Sequence, residues 1–380
     1  MTGSRMLSGG KRRRRRQRRP WPRSRPPARR RRRRRIPLGA IAATGAVCVG
    51  VLLFVMAGGV AGPTGPSGRS GPSGPSGRTR PGRGAPARRP AGGGHGAPAS
   101  GSAGHVPAAA LIGPPVPSGY GVSPAPPSEH VVIRLLKPLR SGLLFNVATG
   151  QVLWQRRPDA VLPIASLTKM MTALIVATLD PPRARVLITR QAVDFQGSGV
   201  GLLPLHKRVP IEPLLYGLLL PSGNDAAIAL AQHTAGTQPR FITFMNARAR
   251  AMGLGCTHYT TVSGIVDAGN HSCAADLAKL ARAVLDERRL ARIVASASAT
   301  LRFPIKGGKL YVYNNNPLYR LGYPGTDGLK TGYTTAAGVC LVATARRGHT
   351  WLGVVLLHSA DEDDQAPALL NAGFAAMRRR

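Results

Sequence analysis

The sequence predicts a mixed α/β domain in the C-terminal two-thirds of the chain, with one sheet built from segments far apart in sequence. Three observations carry this. All 15 Asp and Glu residues lie at or after Glu129, whereas 24 of the 53 Lys and Arg precede it, so the two parts obey different physics. Strand-like apolar runs occur at both ends of the acidic-containing part. Between them the apolar spacing is helical, and strands at the ends with helices between imply a sheet of distant segments.

The elements follow in order. VVIRLL (131–136) and GLLFNVATGQVLWQR (142–156) predict strands, the latter a pair turning at Thr149-Gly150. Residues 165–179 predict a buried helix. Helices over 211–220 and 225–234 are interrupted by Pro-Ser-Gly-Asn, and helices over 239–252 and 275–285 come next. GVCLVATARRGHTWLGVVLL (338–357) predicts two apolar strands about an Arg-Arg-Gly-His turn, and residues 366–377 predict a closing helix.

The first 128 residues predict no packed core. Residues 1–37 hold the block KRRRRRQRRPWPRSRPPARRRRRRR (11–35). Residues 38–61, LGAIAATGAVCVGVLLFVMAGGVA, carry no charge and are long enough to cross a bilayer. Arginines before an apolar span place the N-terminus in the cytoplasm and the chain beyond Ala61 outside. The block also suits anionic lipid head groups. A cleaved signal peptide is the competing reading, with small-residue patterns at Val55-Met56-Ala57 and Gly59-Val60-Ala61. Either way the C-terminal part is exported. Nucleic-acid binding by the Arg block finds no support elsewhere in the chain. Residues 62–128 are rich in Gly, Pro and Ser and open with six G-x-y triplets before Arg80 ends the period. They predict a disordered tether rather than a triple helix, leaving 129–380 as the folded domain.

Three short motifs fall within that domain. Ser166-Leu167-Thr168-Lys169 is S-x-x-K at a helix start, Ser222-Gly223-Asn224 is S-x-N at a helix break, and Lys330-Thr331-Gly332 is K-T-G before the last hairpin. Alone, Ser166 reads as an N-cap and Lys169 as a lysine reaching for the surface. Together the motifs describe acyl-transfer chemistry. A serine hydroxyl is a poor nucleophile until a base takes its proton. Lys169, in an otherwise apolar helix, serves as that base if burial and a second cation, Lys330, keep its amine neutral. Ser222 and Lys330 then pass a proton to the leaving amine. Asn224 holds a substrate amide, Lys330 and Thr331 bind a terminal carboxylate, and Gly332 admits a substrate backbone beside its strand. Cys340 predicts a buried core thiol. None of the nine histidines shows metal-ligand spacing, so neither metal nor cofactor is expected.

With these motifs, and with ATGQVLWQRRPDAVLPIASLTKMMTALIV, LLPSGNDAAIALAQ, FMNARARAMGL and TDGLKTGYTTAAGVCLVATA, the chain resembles the serine-type D-alanyl-D-alanine carboxypeptidases, the low-molecular-mass penicillin-binding proteins of peptidase family S11, over roughly 138–375. The resemblance implies a β-lactamase/transpeptidase-like fold: a five-stranded antiparallel sheet flanked by helices, plus a helical subdomain. It implies that Ser166 is acylated by the penultimate D-Ala of a peptidoglycan stem peptide, releasing the last D-Ala. It places the oxyanion hole at the backbone N–H groups of Ser166 and Tyr333, and makes β-lactams acylating inhibitors.

Departures from the family pattern matter. A second, β-rich domain and a C-terminal amphipathic anchor, found in many relatives, are not expected in a chain that ends at Arg380. Where relatives often carry an arginine near the substrate carboxylate, this chain reads Asp361-Glu362-Asp363-Asp364. Cys256 and Cys273, 17 apart in an exported segment, suit a disulfide, although spacing alone does not fix its geometry. A class A β-lactamase needs a glutamate for deacylation. The sole glutamate between Asn224 and Lys330 is Glu287, outside the expected pattern. Two further functions fit the sequence: a D,D-endopeptidase using the same site, and a non-catalytic wall-binding protein.

Overall fold

The computed structural model describes residues 118–201 and 203–378. The 38–61 span, its Arg-rich flank and most of the tether lie outside the described residues. Among the described residues no helix is long and apolar enough to cross a membrane.

Strand β1 is Ser123–Pro124, β2 Ser141–Asn146, β3 Gln151–Arg156 and β4 Leu162–Pro163. Helix α1, Lys169–Leu179, follows a 3-10 turn at Ala165–Thr168. Strands β5 (Arg185–Leu187) and β6 (Arg208–Pro210) form a small ribbon. Helices α2 (Ile211–Leu219), α3 (Asn224–Ala235) and α4 (Gln238–Ala251) come next. Strand β7, His271–Ser272, leads into α5, Ala274–Asp286. A second ribbon joins β8 (Ser298–Arg302) to β9 (Lys309–Tyr313). The chain closes with β10 (Thr326–Thr334), β11 (Gly338–Arg347), β12 (Thr350–Ser359) and α6 (Glu362–Met377).

The main sheet has six strands in the order β1-β3-β2-β12-β11-β10. The expectation of five antiparallel strands is corrected by β1, which pairs parallel to β3. The packed region therefore begins before residue 129. Ser123 N donates to Gly150 O and Ala125 N to Val152 O, so Pro124, which has no N–H, falls where the ladder asks for no donor. A two-residue edge strand in a Gly/Pro/Ser stretch leaves no periodic signal. The 131–136 run is not a strand. Val131 N still donates to Leu153 O, but the chain then leaves the sheet and Val132 and Leu136 stand almost fully exposed.

The central strands are buried on both faces, so they read as unbroken apolar runs rather than alternating ones. Leu143 and Phe145 of β2, Cys340 and Val342 of β11, and Val355 and Leu357 of β12 face the core shared with α1 to α5. Leu144, Leu341, Ala343, Leu352, Val354 and Leu356 face the opposite core, closed by Leu369, Leu370 and Phe374 of α6. Helix α1 lies inside the first core, and Lys169 through Val176 are all buried. Such a helix is apolar all round because it has no water-facing side.

The acidic run at the end of β12 has a structural use. Asp361 caps α6 by accepting from Asp364 N, and Asp363 pairs with Arg320. Carboxylates in the first helical turn also complement the helix dipole. Cys256 and Cys273 are joined in a disulfide with a Cα–Cα distance of 5.6 Å. Cys340 is fully buried, and burial pushes its thiol up to about 12.

Candidate active site

The geometry starts with backbone strain. Ala165 has φ +47°, a left-handed conformation that costs a non-glycine residue energy. Its carbonyl is held from two sides. Thr168 Oγ1 donates to it at 2.8 Å, and Thr168 itself accepts from buried Asn270 Nδ2 at 2.8 Å. Gly264 presses against the same oxygen: a Cβ there would lie 1.9 Å from Ala165 O, and its φ is +77°. Ser166 is thereby turned out of the apolar core, half-buried, rather than capping α1.

Lys169 does not reach the surface. It is 0 % exposed, and its Nζ lies 2.9 Å from Ser166 Oγ, 2.7 Å from Asn224 Oδ1 and 2.8 Å from the Ser263 carbonyl. Burial, helped by the charge of Lys330 and opposed by that of Asp225, holds its amine well below the ordinary lysine range. A neutral amine has two N–H groups and one lone pair. Two of the three neighbours here are carbonyl oxygens that can only accept, and the third is a hydroxyl that can donate. The shell therefore suits a neutral amine with its lone pair toward Ser166.

The other motif residues gather around this pair. Gly332 of β10 lies against the nucleophile turn, where a Cβ would sit 3.0 Å from Ser166 N and 3.1 Å from Ile164 O. The glycine thus admits the chain's own backbone. Lys330 is 1 % exposed, burial pulls its amine down to about 7, and Nζ donates to Thr331 O at 2.8 Å. Thr331 is half-buried and Tyr333 is exposed. Ser222 has φ +71°, and its buried Oγ has no hydrogen-bond partner among the described residues. An orphaned buried hydroxyl costs free energy unless a ligand or solvent completes it.

Asn224 is already engaged at both ends, because its Nδ2 donates to Gln196 O at 2.7 Å while Oδ1 accepts from Lys169. In this state it braces the lysine and the 196–201 loop. Asp225, buried next to it, accepts from the N–H groups of Val200, Gly201 and Ala226, and burial raises its carboxyl.

Sequence reasoning missed Ser263, Gly264, Asn270 and Asp225. A backbone carbonyl acceptor such as Ser263 O has no side-chain signature. Gly264 was visible only as one of 47 glycines. Asp225 could have been found, since an acid directly after S-x-N at a helix start suits an N-terminal turn. Glu287 accepts from Arg289 N as the cap of the Arg288–Val294 helix, and so has a structural use of its own.

Comparison with known proteins agrees with this geometry. Residues 139–361 match the D-alanyl-D-alanine carboxypeptidase family model, Peptidase S11. The chain is 32% identical over 215 residues to D-alanyl-D-alanine carboxypeptidase DacF of Bacillus subtilis, covering 55% of this chain and 54% of that protein. It is 35% identical over 248 residues to DacB2 of Mycobacterium tuberculosis, covering 63% of this chain and 83% of that one. The chain thus spans little more than half the length of some curated relatives. Among solved structures, the Streptomyces K15 DD-transpeptidase superposes with a TM-score of 0.59 at 31% identity, covering 64% of this chain and all of that one. The D-alanyl-D-alanine carboxypeptidase of M. tuberculosis H37Rv gives 0.61 at 33% identity, covering 67% and 96%. A family model that matches more than half of the chain, over the turn, loop and strand that assemble this site, makes the protein a member of the D-alanyl-D-alanine carboxypeptidase family, Peptidase S11.

Proposed function

We propose that this protein is a serine D-alanyl-D-alanine carboxypeptidase acting on peptidoglycan stem peptides. The observation that carries the reading is the Lys169 amine, fully buried, 2.9 Å from Ser166 Oγ, and otherwise surrounded by acceptors.

The amine takes the Ser166 proton as Oγ attacks the carbonyl carbon of the penultimate D-Ala. The oxyanion forms at the N–H groups of Ser166 and Tyr333, which lie on the two backbone segments that meet at Gly332. Ser222, with its orphaned hydroxyl, and Lys330 carry a proton to the departing amine of the last D-Ala. The protonated Lys330 and Thr331 bind the terminal carboxylate, in place of the arginine many relatives use. Asn224 contacts the substrate amide only by exchanging one of its present partners. Water then attacks the acyl-enzyme, with Lys169 again the base. β-Lactams acylate Ser166 and leave slowly, because the only glutamate in the relevant stretch caps a helix.

We also propose that the folded domain, from β1 onward, works outside the cytoplasmic membrane, tethered by the Gly/Pro/Ser-rich linker before it to the 38–61 span, with the Arg block on cytoplasmic anionic lipid. The disulfide supports an oxidising location. Protease added to intact spheroplasts should then release the catalytic domain.

The catalytic test is labelling with a fluorescent penicillin alongside D-Ala release from a stem pentapeptide. Wild type should do both and Ser166→Ala neither. An unlabelled, inactive wild type overturns the reading. Faster cleavage of crosslinked than of monomeric muropeptides would make the enzyme an endopeptidase instead.

A further inference from the structure

One surface outside the motifs brings together groups the reaction does not use. The β8–β9 ribbon pairs Ser298 with Tyr313, Thr300 with Tyr311 and Arg302 with Lys309. Side chains alternate across such a ribbon. Leu310 and Val312 enter the core, while Tyr311 and Tyr313, 59% and 67% exposed, stand with Lys309 and Arg302 on the solvent face. Two tyrosines on the wet side of one short strand add nothing to the core.

The two ends of the ribbon give this face a direction. At the Tyr313 end, Asn315 N donates to Leu220 O at 3.1 Å and its Nδ2 to Pro221 O at 3.2 Å, directly before Ser222. Asn316 Nδ2 donates to Gly328 O at 2.6 Å, two residues before Lys330. The ribbon therefore leaves from between the S-x-N and K-T-G motifs. At its far end Arg302 and Lys309 line an open cleft of about 380 Å³, shared with Arg185 and floored by Phe303. Among the described residues none of these three cations has a carboxylate partner. The face runs from beside the S-x-N and K-T-G segments over two aromatic rings to cations without carboxylate partners, roughly 17 Å of strand.

A polysaccharide with carboxylate substituents matches that order. The C–H faces of pyranose rings pack on tyrosine, ring hydroxyls bond the phenol, and carboxylates pair with Arg and Lys. We propose that the β8–β9 face is a docking track for the glycan strand from which the stem peptide hangs, with sugar rings on the tyrosines and the carboxylates of its pendant peptides on the cations. The identity of this polymer rests on the carboxypeptidase reading, and the track itself rests on the tyrosine and cation geometry. The enzyme then grips polymer beyond the scissile peptide, and its preference for wall material over free peptide lies in this ribbon.

The test uses the full chain carrying Tyr311→Ser with Tyr313→Ser, and separately Arg302→Gln with Lys309→Gln. The KM for a free stem pentapeptide should stay at the parental value in both. The KM for the same peptide on a soluble glycan oligomer should rise about tenfold in the tyrosine pair and about threefold in the cation pair. Parental rates of penicillin labelling would show both variants folded. In Ser166→Ala, the glycan oligomer should slow hydrogen exchange over residues 298–313, a readout the N-terminal arginines do not enter. Equal KM changes for both substrates overturn the track. So does protection of 298–313 by polyphosphate but not by glycan. If the parent turns over neither substrate, the carboxypeptidase reading fails, and protection by the glycan still decides whether the track exists.

Discussion

Two buried amines lie in this site, and their surroundings differ. Lys169, at the start of an apolar helix, has a complete shell: two carbonyl acceptors and the Ser166 hydroxyl. Lys330, on β10, is equally buried, but among the described residues its one acceptor is the carbonyl of the next residue. Burial lowers both amines, and the charge of Lys330 lowers Lys169 further. The difference teaches a division of labour. A filled, acceptor-rich shell suits an amine that moves a proton at a fixed point. An unfilled one suits an amine whose missing partner is the substrate.

The strongest way to break this comparison is Lys169→Arg. A guanidinium stays charged and cannot take the Ser166 proton, so penicillin acylation should fall by at least ~10³-fold while the circular dichroism spectrum persists. A variant that labels at the normal rate would remove Lys169 as the base. Lys330→Met should lower kcat/KM for the stem peptide by about 100-fold through loss of carboxylate binding. It should also raise Tm by ~5 °C at pH 7, because a buried amine costs stability.

The pH dependence carries the sign of that cost. With the folded value near 7 and an ordinary value of 10.5, the unfolded chain binds this proton between those limits and the folded protein does not. The Lys330 contribution therefore makes stability rise with pH from about 7 to 10.5, and Lys330→Met should flatten that part of a denaturation series. In the free enzyme, kcat/KM should fall as pH rises above about 7, where Lys330 loses the charge that binds a carboxylate. A rise across that range would show that the neutral amine serves binding.

Smaller effects sharpen the Lys169 side. Gly264→Ala forces a Cβ onto Ala165 O at a positive φ, and should slow acylation about tenfold with a lowered Tm. Asn270→Ala removes the brace behind Thr168 together with the longer bond from Thr260 N, and should slow acylation about threefold without touching the KM for peptide. Equal losses in the two would mean that overall stability, rather than the position of the turn, controls the rate.

Legibility followed the kind of group involved. The buried helix carrying Lys169 announced itself because a single charge among Met, Leu, Ile and Val has no surface to seek. The last two strands were readable because both faces are buried and the run is uninterrupted. The 131–136 run misled for the same reason, since its composition is strand-like but the neighbouring edge belongs to β1. Most of what stayed hidden acts through backbone: the Ser263 carbonyl, the Gly264 approach, and the strained Ala165, whereas Asn270 and Asp225 act through side chains. Asn224 was expected to face a substrate amide, and its lysine contact could not be read from sequence, because which amide atom points where is decided by the 196–201 loop.

The Cys256–Cys273 bridge has a consequence for when the enzyme comes into being. Cys273 follows β7, and β7 pairs with β4, whose Pro163 leads into the nucleophile turn. The bridge thus ties down the floor on which Ser166 is mounted. It contributes on the order of 3 kcal/mol by closing a short loop. Under the export proposed above, the chain would stay reduced, and that floor loose, until it reached an oxidising compartment. Closure of the bridge would then act as the maturation step of the proposed carboxypeptidase. Reductant should lower the melting temperature and the penicillin-labelling rate together; a rate unchanged in the reduced protein would uncouple the bridge from the turn.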